Sequence, residues 1–100
     1  MNHRIAENAA SEAEMLIRQA KSRYHEAAIA EEEALGFVQI EEKSKTYGIT
    51  AVSAVALYVK AGCPDHALRL GKQALSQVGL PDFAKNEIQL MLTENYHPLV

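Results

Sequence analysis

Few side chains in this 100-residue chain could do chemistry, and they are scattered. His3, His25, His66 and His97 include no pair at metal-ligand spacing. Cys63 and His66 are three apart, but a tetrahedral metal site needs further ligands that the local sequence lacks. They read as a cysteine in a helix-capping region and a surface histidine. No glycine-rich phosphate loop, nucleophile elbow or Walker-type sequence occurs. Glu31–Glu33 and Glu41–Glu42 read as solvated helix surface, because no second constellation would make them a carboxylate metal site. The expectation is a protein without catalysis, cofactor or metal. One pair deserves separate weighing: Arg18 and His25, six residues between them on one helix.

That pair meets the loose Arg/His spacing motif of the HEPN ribonucleases, and in this respect resembles them. In that all-helical family an Arg and a His act together at a dimer interface, the His as acid/base and the Arg on phosphate. The resemblance implies an alternative function, an RNA-cleaving toxin using Arg18 and His25. Gln19 follows Arg18 here, where the family more commonly has Asn or Asp.

The elements that would carry any site are helices. A helix ending at Ala61 can be closed by Gly62, which enters the left-handed capping conformation without a Cβ penalty. Pro64 suits the first turn of the next helix, and Asp65 beside it complements the positive end of the helix dipole. So short a link makes the two helices antiparallel neighbours. Ala67, Gly71 and Ala74 recur on one face and let the backbones approach, while Tyr58 can cover the end of the pair with its hydroxyl in water. With Tyr58, Gly62, Ala67 and Ala74 at these intervals, residues 47–78 resemble the tetratricopeptide repeat. The resemblance implies stacked antiparallel hairpins and a protein-binding role. This chain departs from the family at several positions. Ala51, Ala54 and Val55 stand where the family's Trp–Leu–Gly cluster falls, and Gly71 where it has a large residue. Gly79 stands in place of its closing proline, with Pro81 two residues late.

Size and composition bound the rest. One hundred residues make one domain with a modest core. Apolar residues are 48% of the chain with three prolines and five glycines, which excludes extended disorder. There is no Trp, alanine is abundant and no alternating pattern or hairpin turn appears, so the fold class is all-α. Net charge is −3, with nine acidic and six basic residues in 1–46 and four of each in 47–100. No basic run appears, which argues against nucleic acid or an anionic membrane as partner. The run Ile49–Val59 is about half the length that crosses a bilayer. The single Cys63 fits a reducing cytoplasm, and no signal peptide is visible in the polar N-terminus with Glu7, Glu12 and Glu14, so a cytoplasmic location is the expectation.

Along the chain, Asn2–Leu35 has no glycine or proline. Ile5, Ala9, Ala13, Leu16, Ala20, Tyr24, Ala27, Ala34 and Val38 form one apolar stripe, which predicts a long N-terminal helix over about 1–45 with Gly36 inside it. A degenerate first hairpin turning near Lys21–Arg23 is the other reading. Met15 and Met91 lie in helical stripes and read as core fillers. Gly48 is expected to break the chain before a second helix, Ile49–Ala61. A third helix, Pro64–Val78, is closed by Gly79. A fourth opens at Pro81–Asp82, turns Ala84, Ile88, Met91 and Leu92 to one face and ends near Asn95, and His97–Val100 forms a frayed tail.

In the tetratricopeptide family the peptide-gripping surface is lined from the first helix of each unit, which here implies Ile49, Val52, Ala56 and Val59 as protein-binding residues. All four are apolar, and the opposite face of the same helix is apolar too, so the helix is covered on two sides. The N-terminal helix folding back, or a second copy of the chain, is the expected cover. If the N-terminal helix fills the groove, its outer face around Glu31–Glu33 becomes the contact surface. The partner is then another protein or the chain itself, as a homo-oligomer, because repeat hairpins do not bury their faces alone.

Overall fold

A computed structural model describes the backbone of residues 2–96, with side chains from residue 9 onward. The expected tail at His97–Val100 and the side chains of His3 and Ile5 lie outside the described residues. Among the described residues the fold is all-α, with four helices: α1 Asn2–Leu35, α2 Ser44–Lys60, α3 Pro64–Leu75 and α4 Asp82–Asn95.

Helix α1 is continuous through Lys21–Arg23, so the early hairpin does not form. It also stops sooner than its stripe suggests. The Gly36 amide reaches back to the carbonyls of Glu32 and Glu33 at 3.2 and 3.1 Å, and the next two amides bond only three residues back. Gly36 therefore ends the helix, and 36–43 is a connection anchored by buried Ile40. Conversely, Gly48 lies inside α2 and breaks nothing. A Cβ there would sit 3.1 Å from the Ala84 Cβ and 3.3 Å from the Pro81 Cδ, so its absence lets the start of α4 rest on α2.

The α2–α3 hairpin closes as its residue types dictate. Gly62 takes φ +72°, and the Cys63 amide bonds the Tyr58 carbonyl at 3.0 Å while the Gly62 amide bonds Val59 at 3.0 Å. This doubly bonded glycine cap satisfies carbonyls that the helix end would leave unpaired. Pro64 then opens α3 with Asp65 in its first turn. Helix α3 ends at Leu75 rather than Val78, and Gly79, at φ +96°, turns the chain into α4, for which Pro81 is the cap rather than the first helical residue.

Helix α2 is the hub and packs against each of the other three, whereas α1 makes no close backbone approach to α3 or α4. Ala51, Ala54, Val55 and Tyr58 of α2, Ala67, Leu70 and Ala74 of α3, and Ala84 and Ile88 of α4 form the core with Ala28 and Leu35 of α1. Small side chains dominate because the backbones lie close. Gly71 faces α4 rather than α2: a Cβ there would meet Leu92 Cδ1 at 2.9 Å and Ile88 Cγ2 at 3.3 Å.

Only the last third of α1 joins this body. Every side chain from Ala9 to Tyr24 is exposed, and burial begins at His25, Ala27 and Ala28. At about 1.5 Å per residue, more than half of α1 projects from the body, which accounts for extents of 63 × 35 × 18 Å.

Candidate protein-binding surface

The four residues expected to line a groove do not form an open one. Ile49 is 53% exposed, but Val52, Ala56 and Val59 are half-buried, and Val52 and Val59 pack against the core. The last third of α1 packs on the Tyr58 side of α2, and Ile49, nine positions from Tyr58, lies on the opposite face in solvent. At the edge of this contact the Lys60 ammonium lies 5.8 Å from the Tyr24 ring centroid, within cation–π range.

A second apolar surface lies where burial was expected. Met15, Leu16 and Ile17 are 54, 65 and 55% exposed on the projecting part of α1. Met15 is thus surface rather than core, and Met91 is half-buried. At about 100° per residue, Ala9, Ala10, Ala13, Leu16, Ile17, Ala20 and Tyr24 share one broad sector. Ser11, Glu14, Arg18, Lys21 and Ser22 lie outside it. The sector continues, turn by turn, the side of α1 that meets α2 through Ala27 and Ala28. A helix with so apolar a face takes most of its stability from whatever covers that face.

The titratable groups gather elsewhere, where α1, α2 and α3 meet. Tyr58, 2% exposed, donates its hydroxyl proton to Glu32 Oε1 at 2.6 Å. Arg69 donates to both oxygens of the same carboxylate at 3.0 Å each. Arg69 holds the Glu32 carboxyl below its ordinary range, against the opposing effect of burial, and the Tyr58 hydroxyl adds to the lowering. Burial first, and then the Glu32 carboxylate, push the Tyr58 phenol up to about 12. Two sequence expectations change here. The Tyr58 hydroxyl is in the interior rather than in water, and Glu32 is a tie between helices rather than solvated surface. With Glu32 committed, the outer face of Glu31–Glu33 reduces to half-buried Glu31 and exposed Glu33.

Around the tie, the His66 ring stacks on Tyr58 with centroids 5.2 Å apart, and His25 meets His66 edge-on at 6.0 Å. Cys63 is half-buried, its thiol 3.9 Å from the Ala61 carbonyl. Among the described residues no three His, Cys, Asp or Glu side chains converge as metal ligands. Arg18 and His25 share one face of α1 but sit in different settings. Arg18 is exposed, 3.9 Å from Glu14, and His25 is half-buried against the aromatic rings.

This polar cluster was invisible in the sequence because its members are 26 and 37 positions apart. The exposed apolar sector was visible as a stripe, but nothing in a stripe says whether it is covered. Among the described residues no helix is long and apolar enough to cross a membrane. No family model, curated protein or solved structure matches the chain.

Proposed function

We propose that this chain is a non-catalytic interaction module of the cytoplasm, tetratricopeptide-like in its α2–α3 hairpin, that acts by binding protein, a second copy of itself included. The observation that carries this reading is the uncovered apolar sector of α1 from Ala9 to Tyr24, continuous with the part of the same helix that is buried on α2. Surfaces of this kind mark interaction sites. Ile49, with half-buried Val52, Ala56 and Val59 beside it, offers a smaller adjoining surface on α2.

Placing a photo-crosslinking residue at Leu16, at Ile49 and at the exposed polar control Glu87 tests the reading in cells. Discrete adducts from position 16 or 49, and none from 87, support it. Equal labelling at all three positions overturns it. Cleavage of RNA by the pure protein that disappears in His25→Ala would replace it with the nuclease alternative.

A further inference from the structure

We propose that the occupant of the α1 face is the α1 helix of a second copy, packed antiparallel about a twofold axis between Arg18 and Gln19. This deepens the binding-module reading and rests on it.

The α1 sector resolves into a seven-residue pattern. Ala10, Ile17 and Tyr24 take one core position and Ala13, Ala20 and Ala27 the other; all are exposed except half-buried Ala27. In an antiparallel pair the two core positions face each other across copies, setting Ile17 against Ala20, Ala13 against Tyr24 and Ala10 against Ala27. All three layers share one centre, between residues 18 and 19. That is also the midpoint of α1, Asn2–Leu35, so the pairing that fills the layers overlaps the whole helix.

Charge selects the same register. Glu14 and Lys21 flank the core on one side, and in this pairing each faces the other residue of the second copy, giving two ion pairs. A shift of one heptad either way sets Glu14 against Glu14, or Lys21 against Lys21, across the axis. A parallel pair would place Glu14 beside Ala9 and Lys21 beside Leu16, with no charge partner. Glu14 is available for exchange, since its contact with Arg18 is 3.9 Å long with both side chains more than 70% exposed.

The area is sufficient. Two helices overlapping over roughly 50 Å with a seam about 10 Å wide cover on the order of 1,000 Å² in total, near the lower bound for specific association. The Tyr24–Lys60 contact sets the exposed rim of α2 next to the seam. The start of the second copy's α1 would therefore run beside Ile49 and Ala56 and add to the covered surface.

Sedimentation equilibrium of the full chain at micromolar concentrations tests the pairing. The expected mass is twice the 11.0 kDa chain. Glu14→Lys and Lys21→Glu, each replacing two attractive pairs by two repulsive ones, should weaken the dimer about tenfold. The doubly exchanged chain should recover wild-type affinity. Ile17→Asp should give a monomer in which the α2–α3–α4 body still unfolds cooperatively, because Ile17 is 55% exposed within one copy, while the helicity of the uncovered part of α1 falls to that of the diluted wild type. A wild-type monomer throughout, a dimer indifferent to Ile17→Asp, or a double exchange that fails to recover overturns the pairing. A monomer whose position 16 still crosslinks to a different protein overturns the pairing alone and leaves the binding-module reading standing.

Discussion

Removing the Glu32 carboxylate should be the most costly polar change in the body of this protein. Glu32→Ala leaves the Tyr58 hydroxyl, 2% exposed, without an acceptor. A buried donor stripped of its partner costs about 1–3 kcal/mol. The Arg69 arm adds less, because its side chain is 49% exposed and solvent already screens the pair; about 0.5 kcal/mol is appropriate. The expected loss is about 2–3 kcal/mol, and at about 4–8 °C per kcal/mol for a chain of this size the melting point should fall roughly 10–20 °C. Glu32→Gln keeps an acceptor for Tyr58 and should cost only about 1 kcal/mol. Urea and thermal unfolding followed by far-UV circular dichroism measure all of these. Equal losses for Ala and Gln, or an Ala variant as stable as wild type, would refute the reasoning.

The same carboxylate should make stability depend on pH. The folded protein favours ionised Glu32, so its contribution is complete above the ordinary value of 4.5 and disappears as pH falls through the depressed folded value. The difference between wild type and Glu32→Gln should therefore close in acid. Tyr58 works in the opposite direction. Its folded state favours the neutral phenol, so that contribution is complete below the ordinary 10.0 and is lost as pH rises toward about 12. The rise from 10.0 to about 12 corresponds to roughly 2–3 kcal/mol. Wild type should lose that stability in strong alkali, and Tyr58→Phe should lack this component.

Two backbone approaches yield further expectations. Gly48→Ala should gain about 1 kcal/mol of helix propensity, yet destabilise overall, because the new methyl meets the Ala84 Cβ at 3.1 Å and moving α4 costs about 1–3 kcal/mol. A net gain in urea unfolding would show that α4 yields freely. Ala74→Leu adds three carbons at a position with 0% exposure and should cost at least about 2 kcal/mol; an unchanged midpoint would contradict the close packing of α3.

Where local chemistry decides, the sequence was readable. The Gly62–Pro64 link has a residue type for each backbone need, and its cap forms as those types require. The two earlier glycines show the limit. Gly36 ends a helix and Gly48 sits within one, the reverse of expectation, because a glycine marks either a chain end or a close crossing and only tertiary contact tells which. The start of α2 gave no signal, since Lys43 caps it without a side-chain hydrogen bond. The exposure of the four candidate residues was only partly readable for the same reason. Their apolar character was plain, but Val52 and Val59 are spent on the core and Leu16 and Ile17 are not.

The projecting part of α1 makes a last demand on energetics. Isolated helices shorter than about 12–15 residues are marginal in water, and the segment Ala9–Tyr24 borrows support from the body at one end only. Alanine and glutamate favour the helix locally but leave its hydrogen bonds open to water. An uncovered segment should therefore exchange its amide protons almost as fast as a peptide, with protection rising only toward His25. If a second helix lies along the sector, protection from Ala9 to Arg18 should instead depend on protein concentration, falling on dilution while the α2–α3 core remains unchanged. Hydrogen exchange read by mass spectrometry at two concentrations distinguishes these outcomes. Strong protection that survives dilution to the monomer would mean that the segment holds itself, and would remove the energetic reason for α1 to seek a cover.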